Sequence, residues 1–273
     1  MEVIRLENVI SGYESGFLLR EINIKVNKCA FLGIIGPNGS GKTTLLKTIA
    51  GIVKPFKGNI FLNNVNYLLL DRKERSKRVA YVSQFVENKD IKVIDYILAG
   101  RLPHFRKFQL FETKNDIHKA YRFMEIFNIL DIKDKFMFEL SGGQQQVVAI
   151  CSALVQEPEI LLLDEPTAHL DLNYQIKILD LLQELNENLN LSIISIFHDL
   201  NLAAEYCSNI VVLKNGQIVK YGKVEDVLKY DILEAVYETV IVTDTNPVSK
   251  RPIVLPASKN ALKSSLRVEK VDK

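Results

Sequence analysis

Near the N-terminus the apolar positions recur every second residue. Ile22, Ile24 and Val26 alternate with Asn23, Lys25 and Asn27, the period of a strand with one buried face. Glu2–Asn27 is strand-like throughout. "AFLGII" (Ala30–Ile35) is instead a continuous apolar run, as a strand buried on both faces requires. A helix is predicted from Lys42 and closed by Gly51, with short strands at Asn59–Leu62 and Val79–Ser83. Between Ile91 and Gln156 the period becomes helical. Thr113 with Asp116 three residues on predicts a capping box, and Ile117, Ala120, Tyr121, Met124 and Phe127 form one apolar face. After Pro158 the α/β pattern returns. "EILLLDEP" and "LSIISIF" read as buried strands, and Tyr174–Asn188 and Asp199–Cys207 as helices. "IVVLKNGQIVKYG" reads as a hairpin turning at Asn215–Gly216. Beyond about Thr245 a turn, a short extension and a polar tail are expected. The pattern is that of a mixed α/β core interrupted by a helical insertion.

Composition narrows the class. At 273 residues the chain is long enough to bury a large core. Its net charge of +2 is too small to favour nucleic acid as a partner. Basic residues cluster at Lys73–Arg78 and through Lys259–Lys273, readable as solvated faces or as contacts to anionic lipid headgroups. Cys29, Cys151 and Cys207 are far apart and lie in apolar surroundings, so all three are expected to be buried thiols in a reducing compartment. The four histidines make no zinc pattern. No window approaches eighteen apolar residues, and "MEVIRLENV" does not look like a signal peptide. A cytoplasmic chain is expected, with any part in transport shared with another protein.

Two glycine turns carry the chemistry. "GPNGSGKT" (Gly36, Pro37, Asn38, Gly39, Ser40, Gly41, Lys42, Thr43) fills every fixed position of G-x-x-x-x-G-K-[ST] and is followed by Thr44. It lies between a buried strand and a helix, the context the motif needs. Its N–H groups suit phosphate oxygens. Lys42 would reach the β- and γ-phosphates of a bound nucleotide, and the Thr43 hydroxyl would ligate Mg²⁺. Asp164 ends an apolar strand, where its carboxylate would also serve Mg²⁺. Glu165, next to it, suits a general base for an attacking water. The second turn, Ser141, Gly142, Gly143 and Gln144, opens another helix.

In order along the chain stand "GPNGSGKTT", "VSQF", "LSGGQ", "LLLDEPTAHLD" and "IFHD". Together they resemble the ATP-binding cassette (ABC) ATPases over residues from about 1 to 245. The resemblance implies a P-loop NTPase core of mixed β-sheet with an inserted α-helical subdomain at about 86–156, followed by a C-terminal extension at 246–273. It also implies roles: Tyr13 stacking on adenine, Gln84 sensing Mg²⁺ and water, His198 touching the γ-phosphate, and Asp171 in a loop crossing to a partner subunit. In that family two cassettes pair head to tail, so that Ser141, Gly142 and Gly143 close over a γ-phosphate held by the other molecule. One phosphate loop and one signature per chain imply a homodimer. Gln145, Val147 and Ser152 replace arginines frequent in the family, and Cys29 replaces a frequent glycine. "VIDYILAGRLPH" (Val93–His104) and "NPVSKRPIVLP" are similar to ATPases of iron–siderophore, haem and cobalamin importers. These act with integral membrane permeases and, indirectly, a substrate-binding protein, at the cytoplasmic face of the cell membrane. Molybdate or tungstate import and iron–sulfur assembly remain alternatives.

Overall fold

The computed structural model describes residues 1–13, 16–84, 90–168 and 170–257. In chain order the first elements are β1 (Glu2–Gly12), β2 (Leu18–Asn27), β3 (Phe31–Ile35), α1 (Lys42–Ile49), β4 (Lys57–Leu62) and β5 (Val65–Asn66). There follow α2 (Arg72–Arg78), β6 (Val79–Val82), α3 (Val93–Ala99), α4 (Lys114–Ile126) and α5 (Gly142–Val155). The second α/β run comprises β7 (Ile160–Leu163), α6 (Leu172–Asn188), β8 (Ser192–Ile196), α7 (Leu200–Tyr206), β9 (Asn209–Lys214) and β10 (Gln217–Lys223). The chain closes with α8 (Val224–Val227), α9 (Tyr230–Tyr237), β11 (Ile241–Thr245) and β12 (Pro252–Pro256).

A six-stranded sheet, ordered β10-β9-β3-β8-β7-β6, forms the centre. Its strands from β9 to β6 are parallel, and β10 is antiparallel to β9. A second, antiparallel sheet runs β2-β1-β4-β5. The alternation in β3 shows why its sequence had to be apolar throughout. Leu32 and Ile34 pack with α1 and the antiparallel sheet, whereas Phe31 and Ile35 pack on the opposite, helical side. Each such side chain contributes about 1.5–3 kcal/mol by leaving water, so both faces must be paired with something. The hairpin turns at Asn215 and Gly216, both with positive φ (49° and 77°), as a two-residue turn of this hand needs.

The insertion forms as expected in most respects. Thr113 and Asp116 make the capping box of α4. Its apolar face is shifted from the expected one: Ala120, Phe123, Met124 and Phe127 are buried, but Ile117 is 40% exposed. Asp116 takes the buried place on that turn because Arg101 meets it there. Arg101, in "GRLPH", is 3% exposed. Its guanidinium donates to Asp116 Oδ1 at 2.9 Å, to the Val155 carbonyl at 2.7 Å and to Glu157 Oε2 at 3.2 Å. His104 reaches the Gln156 carbonyl at 2.8 Å. Arg101 therefore ties α3 and α4 to the far end of α5. Arg101→Ala strands a buried carboxylate and is expected to cost about 3–5 kcal/mol, read from the denaturant midpoint. Adding Asp116→Ala should recover part of the loss.

Burial pushes the Asp116 carboxyl up, but hydrogen bonds from Thr113 and the Arg101 guanidinium outweigh it and hold the group below its ordinary value. A depressed carboxyl stabilises the fold above its unfolded pKa and loses that contribution as pH falls through the folded one. The gap between wild type and Arg101→Ala should therefore narrow below about pH 4.

Two expectations change. Cys151 and Cys207 are buried, and burial pushes both thiols up, but Cys29 is exposed. Cys29 sits in a turn before β3 with φ 58°, the conformation glycine adopts most easily, and that turn lifts it out of the core. The division expected at 245/246 falls within a hairpin, because β12 pairs antiparallel with β11. Asn201 of α7 holds that hairpin, accepting from Val254 N at 2.7 Å and donating to its carbonyl at 3.3 Å. Residues 246–257 thus pack with the α/β unit. The expected start of the insertion at residue 86 and the basic tail from Lys259 lie outside the described residues. No helix among the described residues is long and apolar enough to cross a membrane.

Candidate functional site

Three parallel strands, β3, β7 and β6, deliver the site residues at their C-terminal ends, where open α/β sheets bind ligands. From β3 the chain enters the glycine loop. A Cβ on Gly36 would lie 2.1 Å from the Leu213 carbonyl oxygen, and Gly41 has φ 103° with Phe17 ring atoms 2.5 Å from where its Cβ would stand. Only glycine fits either position. The loop then opens α1, whose N-cap Gly41 offers no side-chain cap. The first N–H groups of that helix are left for an anion. Lys42, 7% exposed, donates from Nζ to the Gly36 and Pro37 carbonyls at 2.9 and 3.1 Å. Burial pushes its pKa down, while Glu165 and Asp164 pull it back up. Ser40 Oγ is buried and has no hydrogen-bond partner among the described residues.

At the end of β7, Asp164 is 4% exposed. Thr43 Oγ1 donates to its Oδ1 at 3.1 Å, and the Tyr81 hydroxyl donates to its Oδ2 at 2.9 Å. Burial and the Asp164 carboxylate push the Tyr81 phenol well up, so Tyr81 stays a donor. Glu165 adopts φ 51°, a left-handed conformation that a side-chain-bearing residue holds only under constraint. Gln84 Nε2 donates to its Oε2 at 2.9 Å. A cavity of about 280 Å³ is lined by Phe17, Asn38, Lys42, Thr43, Thr44 and Glu165 among others.

The donor set fits the groups the sequence implies. Uncapped helix N–H groups, a buried lysine and an unpartnered serine hydroxyl suit a polyphosphate. One hydroxyl and one carboxylate oxygen suit Mg²⁺, which takes few protein ligands and keeps waters and phosphate oxygens. No cluster of three or more His, Cys, Asp or Glu able to hold a metal occurs among the described residues.

The other expected residues lie apart from this cavity. Ser141 caps α5, its Oγ accepting from Gln144 N at 3.3 Å while Gln144 Oε1 accepts from Ser141 N at 3.1 Å. Ser141 and Gly142 are exposed, and a Cβ on Gly142 would meet nothing within 4 Å. Gly143 is buried against Tyr174. None of these four lines the phosphate cavity. Asp171 is exposed and caps α6 through Tyr174 N at 3.0 Å. His198 is exposed two residues beyond β8, at the same edge of the sheet as Asp164. Tyr13 is 47% exposed and does not line the cavity, whereas Phe17 does. Phe17 and Tyr81 were not singled out from the sequence. The one signal in the sequence for Phe17 is that it stands four residues after Tyr13 in "GYESGF". Tyr81 becomes visible only once β6 pairs with β7, Tyr81 opposite Leu162. Gln145 and Ser152, in place of frequent arginines, hold backbone carbonyls: Gln145 those of Met137 and Leu140, and Ser152 that of Tyr96.

A glycine loop at a β–α junction, acids at the neighbouring strand end and a helical insertion opening on a second glycine turn define a nucleoside-triphosphatase. The family model for ABC transporters matches residues 19–168. An uncharacterised ABC transporter ATP-binding protein of Methanocaldococcus jannaschii is 37% identical over 86% of this chain and 91% of its own. The ferric enterobactin transport ATP-binding protein of Escherichia coli is 32% identical over 94% of this chain and 95% of its own. Among solved structures, a metal-chelate type ABC transporter in an inward-facing conformation superposes with TM-score 0.83 at 26% identity, over 95% of this chain and 99% of that one. The dimeric, post-hydrolysis cassette MJ0796 bound to ADP and phosphate gives 0.71 at 29%, over 81% and 98%. The chain belongs to the ABC transporter family, and it is an ATPase.

Proposed function

We propose that this chain is the ATP-hydrolysing subunit of an importer for metal chelates, iron–siderophore complexes foremost, working as a homodimer beneath a separate membrane permease. The observation that carries the dimer is the separation just described: the exposed signature turn does not line the phosphate cavity of its own chain. The dimeric cassette neighbour supports it. The cargo reading rests on the enterobactin relative and the metal-chelate transporter.

In this reading the Gly36–Thr44 loop and the N-terminus of α1 hold the phosphates of ATP. Lys42 exchanges its carbonyl partners for β- and γ-phosphate oxygens. Thr43 and Asp164 would hold Mg²⁺, which would supply positive charge against that developing on the phosphates. Tyr81 keeps Asp164 aimed at Thr43. Glu165 takes the proton of the attacking water, and Gln84 orients that carboxylate. His198 approaches the γ-phosphate, Asp171 reaches the second copy, and an aromatic ring, Tyr13 or Phe17, covers adenine. Ser141, Gly142, Gly143 and Gln144 of the second copy close the site.

A groove of about 360 Å³ between β6 and the insertion is lined by Tyr81, Ser83, Tyr96, Gly100, Ser152 and Ala153 among others. It begins one residue before Gln84, and it is where a cytoplasmic helix of the permease would dock. Ala153→Phe fills it. Transport should fall at least about tenfold, while basal ATPase of the isolated chain stays within about threefold. Equal loss of both would remove the groove from coupling. For the cargo, deleting the gene should abolish uptake of iron-loaded siderophore and spare molybdate uptake. Unchanged iron-chelate uptake would reject the cargo assignment.

A further inference from the structure

Two segments far apart in sequence meet on one surface. The seven residues of α2 (Arg72–Arg78) bury none of their side chains. Lys73 donates from Nζ to the carbonyl of Phe105, joining α2 to the segment that follows the 3₁₀ turn Leu102–His104. That segment, "FRKFQLF", folds on itself. Arg106 N donates to Gln109 Oε1 at 2.9 Å, Gln109 N to the Arg106 carbonyl at 3.0 Å, and Gln109 Nε2 to the Phe111 carbonyl at 2.9 Å. The turn places Phe108 at φ 68°, which is costly for a bulky residue.

What it displays is unusual for a surface bathed only by water. Phe108, Leu110 and Phe111 are 87%, 81% and 77% exposed. Three large apolar side chains within four residues, held outward by a hydrogen-bonded turn, mark an interaction surface. Around them the charge is one-sided. Residues 71–78 and 105–114 carry eight basic against three acidic side chains, a net of +5, whereas the whole chain has only +2. Glu74 is engaged by Lys77 at 2.6 Å. Arg72, Arg106 and Lys114 are exposed and have no ion-pair partner among the described residues. Lys107 lies over the Phe108 ring at 5.4 Å, its charge beside the apolar tip.

We infer that the 105–111 turn and α2 form a contact to the surface of an anionic lipid bilayer, with Phe108, Leu110 and Phe111 entering the interface and the surrounding arginines and lysines meeting headgroup phosphates. Aromatic and aliphatic tips ringed by cations are the chemistry that binds such a surface. A protein partner offering an acidic groove would satisfy the charge as well. But the exposed tips with a cation beside them favour the bilayer, because a fluid interface takes in apolar side chains without a matching recess. The same chain segment leads out of the groove at Gly100, so this contact would set the height and tilt of the ATPase beneath the membrane. It assumes nothing about cargo, and its failure would leave the ATPase reading intact.

The test is co-sedimentation of the purified full chain with vesicles rich in phosphatidylglycerol and, separately, of phosphatidylcholine alone. The wild type should bind the anionic vesicles and release them as salt rises. Arg106→Gln with Lys107→Gln should weaken that binding roughly 30-fold, at about a tenfold loss per 1.4 kcal/mol and about 1 kcal/mol per cation. Serine at 108, 110 and 111 together should weaken it at least about tenfold. ATPase activity of each variant should stay at the wild-type level. The tail from Lys259 is present in every variant, so only differences count. The chain contains no tryptophan, and Phe108→Trp supplies an independent reporter whose emission should shift to the blue on anionic vesicles only. Wild-type binding by both variants, or no spectral shift, overturns the assignment. Loss of uptake in cells with vesicle binding unchanged would likewise overturn it and give the turn to the permease.

Discussion

Glu165→Gln should leave a chain that binds ATP and assembles on it, yet turns over about 10²-fold more slowly or worse. The substitution is informative because the site geometry tolerates it. Gln84 donates to one carboxylate oxygen of Glu165 at 2.9 Å, and the amide oxygen of glutamine accepts the same bond. The strained backbone at φ 51° is set by the strand end and its neighbours and is open to either side chain. Only the capacity to accept a proton is lost. A transition state that needs the water deprotonated then loses its base, while the phosphate grip of Lys42 and the loop is untouched. Single-turnover hydrolysis would measure the chemical step, and ATP-dependent dimerisation on a sizing column the rest. Turnover within about threefold of wild type would remove Glu165 from the mechanism. Failure to bind ATP would mean that the substitution had damaged the site and not the base.

Most of the core was legible because its strands are buried on both faces. Runs such as "AFLGII" and "LSIISIF" are shorter than an ordinary helix, which favours buried strands, and they became β3 and β8 with every strand residue buried. The phosphate loop and signature turn were equally plain, since glycines at fixed spacing answer to backbone geometry that local sequence controls. What stayed hidden depends on contacts between distant segments. Tyr81 reaches Asp164 only through strand pairing 83 residues apart. Arg101 stands two residues before Pro103 with nothing in the local sequence to mark it for burial, which follows from α4 and α5 arriving around it. Helix α2 has no apolar stripe to betray it. It forms under the Asp71 cap, which accepts from Glu74 N at 2.8 Å. Cys29 was misjudged because apolar neighbours say nothing about a turn with positive φ.

The larger consequence of the arrangement concerns the two glycine turns. If each ATP site is built from the phosphate loop of one copy and the signature turn of another, lesions in the two turns should complement. Lys42→Ala removes the cation that the Gly36 and Pro37 carbonyls now hold. Ser141→Arg places bulk and charge at an exposed position with open space beside it, so the chain has room to fold around it. It also loses the N-cap of α5, at a cost of about 0.5–2 kcal/mol, which thermal unfolding would register. Each homodimer carries two defective sites and should be nearly inactive. A mixed dimer concentrates both lesions in one site and leaves the other intact.

The most direct measurement is therefore ATP-dependent cross-linking across verified heterodimers of Lys42→Ala and Ser141→Arg, with cysteine pairs bridging the loop of one copy and the signature turn of the other. Cross-linking should appear with ATP at the pairing that joins intact Lys42 to intact Ser141, and fail at the doubly damaged pairing and in both homodimers. Heterodimers that neither close on ATP nor cross-link at the intact pairing would contradict a site shared between two chains.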